Sequence, residues 1–177
     1  MATAVVVYES LFGDAEKIAR AIAEGLSGHL DVEVIAAKDA PGELRSDVRL
    51  LVVGGPNHAM GMPRPSTRKG AVEQYGTAVV DDPTTGLHEW LETAAVPSGI
   101  SAAAFDTRMD HPKMITKLDH ASRTEEKLLH KLGATLAAPA EHFFVVDAKG
   151  PLANGEEDRA RHWGAALSEI VTAGSRR

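Results

Sequence analysis

The run Ala4-Val5-Val6-Val7-Tyr8-Glu9-Ser10-Leu11-Phe12-Gly13-Asp14-Ala15 decides how the rest of the chain is read. Its first five residues are apolar and mostly β-branched, the composition of a strand buried on both faces of a parallel sheet. Past Gly13 the period changes. Ala15, Ile18, Ala19, Ile22 and Leu26 recur at spacings of three and four, with Glu16, Lys17, Arg20 and Glu24 interleaved, which predicts an amphipathic helix. Gly28 stands where a left-handed C-terminal cap is expected. A strand, a tight glycine-bearing turn and a helix in succession form the opening half of a βαβ unit.

The same alternation runs on to the end of the chain. Val32 to Ile35 reads as a more exposed strand, and Val48 to Val53 as the strongest one, running into Gly54-Gly55-Pro56. Leu87, Trp90 and Leu91 mark a helix that Thr85 is placed to cap. Ile100 to Phe105 is an alanine-rich strand; Ala121, Leu128, Leu129 and Leu132 line a helix ending at Gly133; Phe143 to Val146 is the last strand. Asn154 and Glu157 have the spacing of a capping box for a final helix. Glu156, Glu157 and Asp158 favour its positive end, and Arg176-Arg177 follow its other end. Strand and helix in alternation predict one α/β domain over residues 1–177: a parallel sheet covered by helices on both faces, a three-layer sandwich. The stretch from Gly55 to Gly86 is too long for an ordinary strand-to-helix loop, and Ser66 to Tyr75 within it is expected to be an additional helix.

Composition narrows the chemistry. Hydrophobic residues make up 44% and charged residues 25% of the 177 residues, within the ordinary globular range. A net charge of −6 disfavours a nucleic-acid or anionic-membrane binder. With no cysteine, disulfides, thiolate chemistry, iron–sulfur clusters and thiolate zinc sites are excluded. No apolar run approaches the ~20 residues of a membrane span, and the first residues lack a secretory pattern, so the expected location is cytoplasmic. The chain carries no Walker A loop, dinucleotide fingerprint, nucleophile elbow or zincin motif.

In such sheets ligands bind beyond the C-terminal strand ends, at the switch point of the topology. Three segments are expected there. In the first, Ser10, Leu11, Phe12, Gly13, Asp14 and Ala15 lead into a helix whose free amides suit an anion; a plain tight turn capped by Ser10 reads equally well. The second, Pro56, Asn57, His58, Ala59, Met60 and Gly61, is rich in residues that fix or free the backbone, and the methionines at 60 and 62 suit an aromatic ring or a gap in the core. The third, Asp106, Thr107 and Arg108, mixes hydrogen-bonding types; Arg108 either pairs with Asp106 or Asp110 or meets the ligand.

These motifs resemble the flavodoxins. Val5 to Ala15 is similar to their first strand and phosphate loop, Leu51 to His58 with Gly61 to their second flavin loop, and Phe105 to Arg108 falls where the third would lie. The resemblance implies a five-stranded parallel sheet of order 2-1-3-4-5 and one non-covalent FMN, phosphate on the first loop and ring between the other two. It also implies electron transfer with redox partner proteins. The family loop commonly reads Thr-x-Thr-Gly-x-Thr; here Ser10 keeps one hydroxyl, while Phe12 and Ala15 replace the others and Asp14 follows the glycine. Each lost hydrogen bond to a charged phosphate costs about 1.5–3 kcal/mol. A carboxylate ~6 Å away repels it by roughly 3 kcal/mol at an effective dielectric of ~20. FMN binding is therefore expected to be weaker than the family norm. Neither ring loop offers an aromatic side chain, so His58, Met60, Met62 or Met109 would flank the ring. The cations at Arg64, Arg68 and Lys69, with His58, predict a basic rim and a less negative midpoint potential. Two other functions fit the same features: a flavin-dependent quinone or nitro-compound reductase, and a flavin-free binding module whose Asp14 fills the anion site.

Overall fold

The computed structural model describes residues 3–57, 61–76, 80, 82–110 and 121–174. Six strand segments form one parallel sheet: β1 (Thr3–Tyr8), β2 (Asp31–Ala36), β3 (Val48–Pro56), β4 (Ser101–Met109), β5 (Thr135–Leu136) and β6 (Glu141–Val145). Their order is β2-β1-β3-β4, with β5 and β6 both paired to β4. The expected fifth strand thus comes in two pieces. Ala137 N–H still reaches Ala102 O at 2.8 Å, and pairing resumes where Glu141 meets Phe105. Pro139 lies between them and has no N–H to give the ladder.

Alternation along the strands sorts the core into two halves. Val5, Val7, Leu51, Val53, Ala102 and Ala104 face α3 (Leu87–Thr93) and α4 (Ala121–Lys131). Ala4, Val6, Leu50, Val52, Ala103 and Phe105 face α1 (Asp14–Leu26) and α5 (Glu156–Gly174). The long segment after β3 contains α2 (Pro65–Tyr75), the additional helix the sequence predicts. Gly54 owes its identity to packing: a Cβ there would lie 2.3 Å from the Phe105 ring.

Three predicted caps are replaced. Gly28 is not left-handed; α1 closes at Ser27, whose N–H bonds Ala23 O and whose hydroxyl bonds Glu24 O. Thr85 does not cap α3. Its first amide, Leu87 N–H, donates to Glu9 Oε1 at 2.8 Å, a carboxylate from the end of β1. In α5 the first bond runs from Arg159 N–H to Gly155 O, so Gly155 stands at the cap position rather than Asn154. Glu156, not Glu157, reaches outward, accepting the Phe144 N–H of β6 at 2.7 Å.

Candidate functional site

The crossover from β1 leads to β2 on one side and that from β3 leads to β4 on the other, so the switch point lies between the C-terminal ends of β1 and β3. The three expected segments meet at this end. Glu9 N–H bonds Gly54 O at 3.0 Å, and Asn57 N–H bonds Thr107 O at 2.8 Å, tying the first segment to the second and the second to the third. His58, Ala59 and Met60 lie outside the described residues. Gly61 is half-buried, and Met62 is buried in the core beside α3 and α4, so it fills packing space there.

The first segment makes the most open polar feature. Gly13 takes a left-handed φ of 95° and its N–H donates to Ser10 Oγ at 3.0 Å. No side chain caps α1, leaving first-turn amides directed outward at the positive end of the helix. Asp14 is nearly buried, and its carboxylate faces Gly150 and Leu152: a Cβ on Gly150 would meet Oδ2 at 2.2 Å, and the Leu152 backbone N–H favours its charged form. Burial pushes its pKa up, against the opposing pull of Lys17 and the Leu152 bond. Phe12 meets the Tyr75 ring edge-on, centroids 5.1 Å apart. In the second segment the Asn57 side-chain oxygen is buried with no hydrogen-bond partner among the described residues.

The third segment is strand rather than loop. Asp106 is fully buried and Arg108 nearly so, both on the α3/α4 side of β4. Arg108 Nε donates to Asp106 Oδ1 at 2.8 Å and its Nη2 to Oδ2, while His142 Nδ1 lies 3.1 Å from Oδ1. Burial opposes the Asp106 charge, but the contacts with His142 and Arg108 outweigh it and hold the carboxyl below its usual range. Arg108 thus takes the structural pairing with Asp106.

A second ion pair lies on the same side of the sheet and corrects the predicted basic rim. Arg68, 1% exposed, sends Nε to Glu9 Oε2 and Nη2 to Glu9 Oε1, each at 2.9 Å. It also donates to Pro63 O at 2.9 Å and Pro83 O at 3.3 Å, and lies 2.8 Å from Glu89 Oε2. This arginine ties the first loop, the second loop and α3 together; Arg64 and Lys69 remain exposed. The sequence reading also passed over Glu125. It sits midway between Ala121 and Leu129 on the buried stripe of α4, 1% exposed, with no hydrogen-bond partner for Oε2 among the described residues. Burial first, then the charges of Asp106 and Glu9, push its pKa well above the usual carboxyl range. The spacing 121, 125, 129 is the signal that finds it.

No family model matches the chain, and no curated protein matches it in sequence. Solved structures do match in shape. A flavodoxin from the domain Archaea superposes with a TM-score of 0.65 at 19% identity, covering 96% of this chain and 99% of the other. The chain has the flavodoxin fold. Flavodoxin 2 from Bacillus cereus aligns with a TM-score of 0.63 at 16% identity, over 95% of this chain and 99% of its own. The flavodoxin WrbA-like protein from Agrobacterium tumefaciens gives 0.57 at 19%, over 98% and 99%. Among the described residues, no helix of this flavodoxin fold is long and apolar enough to cross a membrane.

Two observations bear on whether these residues fit FMN. The uncapped start of α1 offers amides to a phosphate, and the partnerless Asn57 oxygen offers an acceptor at the end of β3. With Asp14 engaged by Leu152 and Gly150, that cradle is not closed by its own neighbour. The residues fit the group.

Proposed function

We propose that this protein binds FMN non-covalently at the switch point and carries electrons between redox partner proteins. The observation that carries the reading is the uncapped α1 terminus beside the β1/β3 switch point, in a fold shared with proteins named as flavodoxins. Bound there, the flavin supplies one- and two-electron chemistry while the chain supplies position and field. The amides of Asp14 and Ala15 and the Ser10 hydroxyl, itself held by the Gly13 N–H, bind the phosphate. Asn57 accepts a hydrogen bond from the ligand, and Pro56, Gly61 and Thr107 border the ring. Asp106 and Arg108 act beneath the surface, neutralising each other and stiffening the end of β4. The engagement of Asp14 with Leu152 and Gly150 favours this reading over a flavin-free module in which Asp14 fills the anion site.

The test is titration of the apo-protein into FMN, followed by quenching of flavin fluorescence. Saturable quenching with Kd on the order of micromolar supports the reading; no saturation into hundreds of micromolar, a free energy weaker than about −5 kcal/mol, overturns it.

A further inference from the structure

The first loop lacks two hydroxyls of the usual phosphate cradle, yet a cation is held beside it. Lys149, exposed, places Nζ 4.3 Å from the centroid of the Tyr75 ring. Tyr75, the last residue of α2, packs its ring against Phe12 of the first loop at 5.1 Å. The residue after Lys149 touches the same loop by an independent route, since Gly150 abuts the Asp14 carboxylate. Two separate contacts therefore fix the turn after β6 against the start of α1. The contact of the Lys149 ammonium is the Tyr75 ring, and the cation acting on Asp14 is Lys17. A solvated lysine is only weakly attracted to an aromatic face, which biases where the ammonium sits and leaves it accessible to an anion.

We infer that Lys149, poised on Tyr75, supplies the positive charge that holds the flavin phosphate at the first loop. The inference rests on the FMN reading and adds a residue to it. This chain selects a phosphorylated flavin with a cation where Phe12 and Ala15 give no hydroxyl. Tyr75 and Phe12 serve as the rigid support that keeps the lysine near the loop.

The experiment titrates the unaltered protein, Lys149→Gln and Lys149→Arg with FMN and with riboflavin, which has the same ring and no phosphate, at low and high salt. Far-ultraviolet circular dichroism checks that each variant is folded. Lys149→Gln is expected to weaken FMN about five- to tenfold, the range of one partly screened charge contact, to leave riboflavin unchanged, and to flatten the salt dependence. Lys149→Arg restores FMN affinity. Equal FMN affinity in Lys149→Gln and the unaltered protein overturns the inference while leaving the FMN reading intact. So does an equal loss for both flavins, which would place the lysine at the ring or in the fold. Failure of the unaltered protein to bind FMN overturns both.

Discussion

The two faces of the sheet are built on opposite plans. Under α1 and α5 the core is mainly apolar, with Phe105, Phe143 and Trp163 edge to face at 6.2 Å, and its charges, Arg159 with Glu141 and Glu156, lie at the margin over the Phe143 ring. The helices there approach so closely that a Cβ on Gly164 would lie 2.2 Å from Ile22 O. Under α3 and α4 the core is apolar only toward the other end of the strands. Near the site it becomes ionic, with Glu9, Arg68, Glu89, Asp106, Arg108, Glu125 and His142 clustered on that side. The first plan gives stability, and the second gives orientation. Buried ion pairs are a poor source of net stability, because desolvation offsets their attraction, but each one fixes where a loop sits.

The contrast is sharpest at Arg68. Replacing it by methionine leaves the little-exposed Glu9 with the Leu87 amide but without its ion-pair partner, and is expected to cost about 3–5 kcal/mol in urea unfolding. Adding Glu9→Gln to that variant should recover much of the loss. If the single and double variants are equally destabilised, the pair is not the link between the loops. On the apolar face, Gly164→Ala forces a methyl group into backbone and is expected to cost about 1–3 kcal/mol. A neutral result would mean the helices part freely and the face is less tightly built than the geometry indicates.

Glu125 sharpens the comparison through pH. Its folded pKa lies well above the ordinary value, so the folded state binds more protons than the unfolded chain between those two values. Stability contributed by the neutral acid is complete below the unfolded pKa of about 4.3 and is lost as pH rises toward the folded one. Glu125→Gln, which needs no proton, should therefore gain on the unaltered protein by up to about 1.4 kcal/mol per pH unit over that window. Parallel stability curves for the two proteins would show that Glu125 is not held neutral. The smallest effect is at the rim. With Arg68 internal, Arg64→Gln and Lys69→Gln together are expected to make the bound flavin's midpoint potential modestly more negative, because fewer cations then face an anionic reduced ring. An unchanged potential would mean both side chains are merely solvated.

The parallel sheet was readable because β1, β3 and β4 are continuous apolar runs alternating with helical spacing, while its strand order followed from the resemblance to the flavodoxins. The split of the last strand was not, because a two-residue segment such as Thr135–Leu136 carries no period. The cap at Asn154 was missed by one residue, Gly155, and the cap at Thr85 for a larger physical reason. Local spacing cannot reveal that α3 is capped by Glu9, a carboxylate 78 residues away. Arg68 was misread as part of the rim because a cation in a polar helix reads as outward-facing until the fold brings Glu9 and Glu89 to it. The first loop was the most readable part of the candidate site, since its glycine and its helix are adjacent in sequence.

The most direct test of the account follows the backbone amides of the labelled protein by NMR as FMN is added. The account predicts the largest shifts at Ser10 to Ala15, Asn57 and Thr107, with the groove at the other end of the sheet, beside Val48 and Gly99, left unmoved. Shifts centred on that far groove, with Gly13 to Ala15 unchanged, would contradict it.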